Sequence, residues 1–140
     1  MAKQVLRNCF ISVNGVNLSD HCSSVALEDA AEEVDFTAFS TSAYREFGQG
    51  MKDATITATF FQDFAASSVD ATMYPLYDSG GTFAVVVSPE NLPASSTNPK
   101  YTMIARLYTY SGLNGSVGDA NTLDVTFRNA GTAGIVRGTS

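Results

Sequence analysis

The chain has no tryptophan and only one histidine in 140 residues, and the scarcity of each residue type argues against particular functions. His21 is the single candidate base for a nucleophilic triad, and its sequence neighbours Asp20 and Cys22 would point to the other side of an extended chain. His21, Cys9 and Cys22 lack both the close ligand spacing and the fourth ligand of a structural zinc site. We therefore predict a surface histidine, no catalytic residue, no metal site, no cofactor and no enzymatic activity.

Long apolar runs are also missing. No run approaches the ~20 residues that cross a bilayer, and the N-terminal residues lack the apolar core of a signal peptide. We expect no membrane contact and synthesis in a cytoplasm. In that reducing compartment Cys9 and Cys22 are predicted to be free, partly buried thiols. The less favoured alternative is a disulfide across the hairpin whose turn is Asn14-Gly15.

Positive charge is sparse: eight basic residues face 14 acidic ones, and the net charge is −6. The cations form no run, which disfavours a surface that grips nucleic acid and permits one that nucleic acid slides past. Five carboxylates lie within residues 28–35. We interpret this acidic segment as a solvated loop between strands, with a binding role as the alternative. Its spacing is not that of an EF-hand calcium loop.

What the chain does have is strand periodicity, which is clearest over residues 52–64. Alternate positions there are apolar: Ala54, Ile56, Ala58, Phe60 and Phe64. The positions between them carry hydroxyls at Thr55, Thr57 and Thr59. Because side chains of a strand point alternately to its two faces, this pattern predicts one buried and one hydroxyl-rich face.

Further strands are predicted at residues 8–13, 16–18, 23–27, 34–40, 82–88, 100–110 and 122–128. A helix is predicted over residues 65–81, capped by Ser67, kinked or split by Pro75, and ended by Gly80-Gly81. The fold class is therefore mainly β: an antiparallel β-sandwich or partly closed barrel with one flanking α-helix. We expect a single domain over residues 1–140, with extended arms at residues 1–8 and 129–140.

The segment 41–50 lacks alternation and joins two predicted strands, so we interpret it as a long hairpin loop. It carries Tyr44, Arg45 and Phe47, whose residue types are enriched where proteins meet. The alternative is a tucked loop whose aromatic side chains pack on their own domain.

The order of these features resembles the major tail protein, or tail tube protein, of long-tailed bacteriophages. The resemblance covers nearly the whole chain, most strongly residues 50–131. It is carried by GMKDATITATFFQDF with the following SSVDATMYPLYDSG, and by NPKYTMIARLYTYSGLNGSVGDANTLDVTFRNAG.

The resemblance implies two antiparallel sheets packed at an angle beside a helix. It implies a structural virion protein whose subunits form rings, usually hexameric, that stack into a tail tube for DNA ejection. The loop between rings would be residues 41–50, with the contact residues Tyr44, Arg45, Glu46, Phe47 and Gly48. Implied partners are other copies of the chain, the tape-measure protein, and tail-tip and terminator proteins. DNA would pass through the lumen without specific binding.

Other functions fit the pattern less well. The first is a tail terminator or head–tail connector ring protein, which would form rings without long tubes. The second is a carbohydrate-binding β-sandwich, with Tyr101, Tyr108 and Tyr110 as a stacking platform. The absence of tryptophan weakens that reading.

Overall fold

The computed structural model describes residues 3, 5, 7–39, 44–113 and 115–139. The strands of this part are β1 (Phe10–Val13), β2 (Val16–Asn17), β3 (Cys22–Asp35), β4 (Phe47–Phe61), β5 (Phe83–Ser88), β6 (Lys100–Leu107), β7 (Thr122–Asn129) and β8 (Val136–Gly138). A 3-10 turn (Ser19–His21) precedes β3, and the helix α1 (Val69–Ser79) lies between β4 and β5. The predicted mainly β fold with one helix is confirmed.

All the described strands belong to one antiparallel sheet with the order β2-β1-β5-β6-β7-β4-β3, and β8 also pairs with β6. The sheet is open and does not close into a barrel. Residues 105–107 of β6 pair with residues 127–129 of β7, while residues 100–102 pair with β8. β7 and β8 therefore share one edge of β6, because β5 occupies the other.

Alternation along the strands builds the core as the sequence predicts. Ala54, Ile56, Ala58 and Phe60 of β4 are each no more than 2% exposed. The matching positions of β7, Leu123, Val125 and Phe127, are also buried. The rings of Phe83 and Phe127 meet edge to face with centroids 5.9 Å apart, so strands from both halves of the sheet share one hydrophobic core.

Helix α1 covers this core with Val69 and Met73, both fully buried. Its N-cap is Ser68 rather than the predicted Ser67, and Asp70 donates its backbone N–H to the Asp63 carbonyl over 3.1 Å. Gly80 ends the helix with a φ of 69°, as predicted, because glycine adopts this left-handed conformation without strain. The helix runs continuously through Pro75, so the alternative of two short pieces is wrong.

The acidic segment 28–35 is a strand, and its prediction as a loop is wrong. Its backbone pairs with β4 as far as Asp35 opposite Phe47. Carboxylates are tolerated there because the side chains of residues 28–33 are exposed on both faces. The predicted strand 34–40 stops at Asp35, whose side chain accepts the backbone N–H of Thr37 over 2.8 Å. This local turn competes with further strand pairing.

Two further segments, the end of β4 and the C-terminal arm, differ from the predicted strand pattern. β4 ends at Phe61, so Phe64 lies beyond the sheet and is 61% exposed instead of buried. Part of the predicted C-terminal arm is held by the chain's own sheet, where Val136–Gly138 pairs with β6. Within the described residues, no helix is both long and apolar enough to cross a membrane.

Candidate functional site

The β3–β4 hairpin extends past the rest of the sheet. β4 pairs with β7 only over residues 55–61, whereas its pairing with β3 continues to Phe47. We call residues 29–35 and 47–54 the ribbon and residues 36–46 its tip. Of these, residues 40–43 lie outside the described part. An isolated two-stranded ribbon is marginally stable in water, so this extension is a feature that a binding partner would stabilise.

The ribbon and its tip expose large apolar side chains. The exposed fractions are 61% for Phe36, 111% for Phe39, 84% for Tyr44, 53% for Phe47 and 83% for Met51. Scattered exposed apolar residues are ordinary on a protein surface, but a group concentrated on one projecting element is typical of an interaction site. The ribbon and tip are therefore the candidate functional site.

Short hydrogen bonds define where the tip begins. Phe36 donates its backbone N–H to the Glu46 carbonyl over 2.8 Å, and Glu46 donates its own to the Thr37 hydroxyl over 2.9 Å. The Arg45 guanidinium lies 3.4 Å from the Asp35 carboxylate. The pKa of Asp35 is lowered, mainly by its hydrogen bonds with Thr37 and further by Arg45. These bonds hold the two ends of the tip together.

Two glycines of β4 lie beneath side chains of the opposite strand and the tip. A Cβ on Gly48 would approach Cε2 of Phe36 to 2.5 Å, and a Cβ on Gly50 would approach Cγ2 of Val34 to 2.8 Å. Neither glycine has a positive φ, so close packing rather than backbone conformation requires them. Gly48 thus fixes the ring of Phe36 at the base of the tip.

The five predicted contact residues all lie in this region. Tyr44, Arg45 and Glu46 belong to the tip, whereas Phe47 and Gly48 begin β4. The prediction of residues 41–50 as a loop is therefore wrong for residues 47–50, which belong to β4. Residues 41–43 lie outside the described part. The aromatic side chains of Tyr44 and Phe47 are exposed, so they are not tucked against the core as the alternative required.

Sequence reasoning missed Phe36 and Phe39 as surface residues. Phe36 falls within the predicted strand 34–40, but it follows the end of β3. The available signal was Phe39, an apolar residue that breaks the alternation and so marks the end of strand periodicity.

The fold brings His21 beside Asp63 and Ser68, three residue types of a hydrolase triad. His21 Nε2 lies 2.9 Å from Asp63 Oδ2 and 3.5 Å from Ser68 Oγ. A triad needs the serine and the carboxylate on different ring nitrogens, and here both approach the same one. The pKa of Asp63 is lowered chiefly by the Ala65 backbone N–H, then by Ser68 and His21. The cluster joins the start of β3 to the connection between β4 and α1.

The two cysteines are free, as predicted. Cys9 Sγ lies 3.2 Å from the Ser88 carbonyl and Cys22 Sγ lies 3.2 Å from the Ser24 carbonyl. Burial raises the pKa of both thiols. Among the residues that the structure describes, no three histidine, cysteine or acidic side chains cluster as metal ligands would.

The three tyrosines of the proposed sugar platform do not share a surface. Tyr110 packs under α1, with ring centroids 6.0 Å from Tyr74 and 6.5 Å from Tyr77. Its hydroxyl donates to Asp70 over 2.5 Å and accepts from Gln62 over 3.0 Å. Tyr101 lies on the core-facing side of β6, and Tyr108 is 57% exposed beyond the strand.

Comparison with solved structures finds the same fold in virus-like particles. A chain of the virion of the native gene transfer agent particle superposes with a TM-score of 0.74 over 96% of this chain and 99% of that one, at 16% identity. A chain from the tail of the empty gene transfer agent particle, refined with C6 helical symmetry, has a TM-score of 0.65. That match covers 86% of this chain and 82% of the other, also at 16% identity.

At this identity the likeness shows the fold, which is consistent with the resemblance to phage tail tube proteins. No protein-family model and no curated protein matches the chain.

Proposed function

We propose that this protein is a structural tail protein of a virion. Its copies form rings, hexameric in number, that stack into a tail tube through which DNA is ejected. The observation that carries the proposal is the projecting β3–β4 ribbon with its exposed aromatic tip, on a fold shared with a chain of a C6-symmetric tail. The tube is a passive conduit, so the protein is not an enzyme.

The tip is the proposed contact between rings. Phe39, Tyr44 and Phe47 are rigid aromatic side chains, the type that dominates interface free energy when buried by a partner. Burying a ring of this size against a neighbour stabilises the contact by roughly 1.5–3 kcal/mol. Tyr44, Arg45, Glu46, Phe47 and Gly48 belong to this contact, and the arms at residues 1–8 and 129–140 add to it.

Open strand edges favour association within a ring. β3 is a 14-residue edge strand, and β2 is the edge at the other end of the sheet. Unpaired backbone groups along such edges are a hazard in a monomer but are covered when copies close into a ring. Ring closure also explains how a marginal two-stranded ribbon remains ordered.

The net charge of −6 suits a conduit that releases DNA. Its scattered cations do not neutralise a run of phosphates, so DNA passes without specific binding. The other proposed partners are the tape-measure protein inside the tube and the tail-tip and terminator proteins at its ends. The protein is made in the host cytoplasm and functions in the virion.

Negative-stain electron microscopy and sedimentation velocity at rising protein concentration test this proposal. Stacked rings that form hollow tubes are the expected result. Single rings that never stack would instead support the terminator or connector alternative. Particles that remain monomeric, even with the tail-tip complex present, would contradict a tail tube.

A further inference from the structure

Two arginines face each other on the outer surface of the sheet. Arg106 of β6 and Arg128 of β7 are register partners, and both alternate with buried residues of their strands. Side chains at directly opposed positions have Cβ atoms about 5 Å apart, and like charges there are unfavourable. The chain therefore concentrates two cations at one point while having only eight in total.

Within the described residues, only one of these two arginines has an ion pair. The Arg106 Nε is buried and has no hydrogen-bond partner among the described residues. Arg128 has one carboxylate near it, Asp53, at 3.5 Å in an exposed setting. Asp124 lies on the same face but accepts the hydroxyl proton of Thr59 over 2.7 Å. A buried N–H that has no acceptor is unfavourable, so the chain does not stabilise Arg106 through this atom.

Negative charge is concentrated elsewhere, on the ribbon and tip. Residues 29–54 hold six carboxylates and two cations, a net charge of −4 out of −6 for the whole chain. Glu32 and Glu33 form no ion pair with any described residue. They are consecutive residues of an exposed strand, so one carboxylate lies on each face of the ribbon.

The chain's own ribbon cannot bring these carboxylates to the arginines. Glu33 pairs with Gln49 of β4, whereas Arg128 pairs with Thr55, six residues further along the same strand. At about 3.3 Å per residue, these two residue pairs are separated along β4 by roughly 20 Å. Only a second copy can place Glu32 or Glu33 against Arg106 and Arg128.

We propose that Arg106 and Arg128 form an acceptor site for the acidic ribbon of a second copy of this chain, with the carboxylate of Glu32 or Glu33, whichever of the two faces the site, as the inserted group. This contact rests on the proposed self-assembly and specifies one of its interfaces. Guanidinium groups bind carboxylates with two parallel hydrogen bonds, so the contact fixes orientation as well as proximity.

Nucleic acid is the other anion that two arginines could bind. It fits less well, because Asp53 and Asp124 lie on the same face and would repel phosphates. A DNA-retention measurement on the arginine variant below separates the two occupants.

Reversing the charges on each side of the proposed contact, and then on both sides together, tests the site. Arg106→Glu with Arg128→Glu, and separately Glu32→Arg with Glu33→Arg, should each raise the concentration needed for assembly at least tenfold, by roughly 1.4 kcal/mol or more. The chain with all four substitutions should recover most of the assembly. Lys100→Glu, which reverses a cation of β6 outside the ribbon, the tip and the arms, is the matched control and should assemble like the wild type. Circular dichroism and thermal melts verify folding. Arg106→Gln with Arg128→Gln is a milder second variant, because it removes the positive charges without adding negative ones.

The outcomes separate this inference from the proposed function. Wild-type protein that never assembles overturns both. Wild-type protein that assembles, with every arginine variant assembling equally well, overturns the acceptor site alone. So does a fourfold variant that fails to recover although it folds, or an arginine variant that assembles normally and loses only the retention of short duplex DNA.

Discussion

The ring of Phe36 occupies the space directly above Gly48, where a Cβ would come within 2.5 Å of Phe36 Cε2. Phe36 lies one residue past the last register pair, Asp35 with Phe47, whereas Gly48 lies one residue inside it. The contact therefore runs diagonally between the two strands at the base of the tip. It holds an aromatic ring that is 61% exposed in a defined position.

Gly48→Ala should therefore weaken stacking of rings. The added Cβ displaces Phe36 and changes the tip, while the buried core is untouched. We expect a several-fold higher threshold concentration for tube formation, with thermal unfolding of the monomer changed by less than about 1 kcal/mol. Light scattering against concentration measures the threshold. The control is Gly81→Ala, where a Cβ would meet only Ser79 Oγ at 3.6 Å; equal thresholds for both variants would refute the role of this contact.

Tyr44→Ala and Phe47→Ala should weaken stacking more strongly. Both side chains are mostly exposed in the monomer, so their removal leaves monomer stability within about 0.5 kcal/mol of wild type. If they are buried between rings, each truncation should raise the assembly threshold roughly tenfold or more. Leu113→Ala, a truncation of an 80% exposed side chain in another loop, is the control. Tubes that form at the wild-type threshold in all three variants would exclude the tip as the contact.

Phe60 and Phe61 are consecutive residues whose side chains lie on opposite faces of β4. Phe60 is 0% exposed and Phe61 is 44% exposed, since successive residues of β4 point to opposite faces. Phe60→Ala should lower the free energy of unfolding by about 3–5 kcal/mol, because it opens a cavity in the core. Phe61→Ala should lower it by less than about 1 kcal/mol. Urea denaturation followed by circular dichroism makes the comparison, and similar losses in both variants would contradict the assigned faces.

Alkaline pH should loosen the packing of α1. Burial, helped by the hydrogen bond to Asp70, raises the pKa of Tyr110 from 10.0 to about 12. A group whose pKa is raised in the folded state adds stability that is complete below its unfolded pKa and is lost as the pH rises through the folded pKa. The contribution of Tyr110 is therefore full below pH 10 and declines between about pH 10 and 12.

Ultraviolet titration of tyrosine ionisation detects this group as a late phase near pH 12. Tyr110→Phe should remove that phase and flatten the alkaline loss of stability. Tyr108→Phe, at an exposed position nearby, is the control and should keep the phase. A late phase that persists in Tyr110→Phe would assign the raised pKa to another residue.

Periodicity predicted the parts of the fold that are governed by burial. The faces of β4 and β7 follow from alternation because one face of each packs on the core and the other meets solvent. Gly80 as the end of α1 also follows from sequence, since the left-handed conformation is specific to few residues. The cap at Ser68 does not, because three polar residues near the helix start compete for that position.

The ribbon was harder to predict, because none of its residues except Ala54 is buried. Alternation carries no information where both faces are exposed, so the sequence predicts a loop for residues 28–35 and a later start for β4 than the structure has. Backbone pairing between β3 and β4 forms this strand, and pairing partners are not visible in either segment alone. The residue types at Tyr44 and Phe47 still indicated an interface, because that inference depends on side-chain chemistry and not on secondary structure.

Cryo-electron microscopy of the assembled particle tests the central claim most directly. The account predicts a hollow tube of stacked six-membered rings in which the ribbon tip, with Tyr44 and Phe47, is buried against the next ring. Assemblies in which the tip faces solvent, or in which rings do not stack at all, would contradict it.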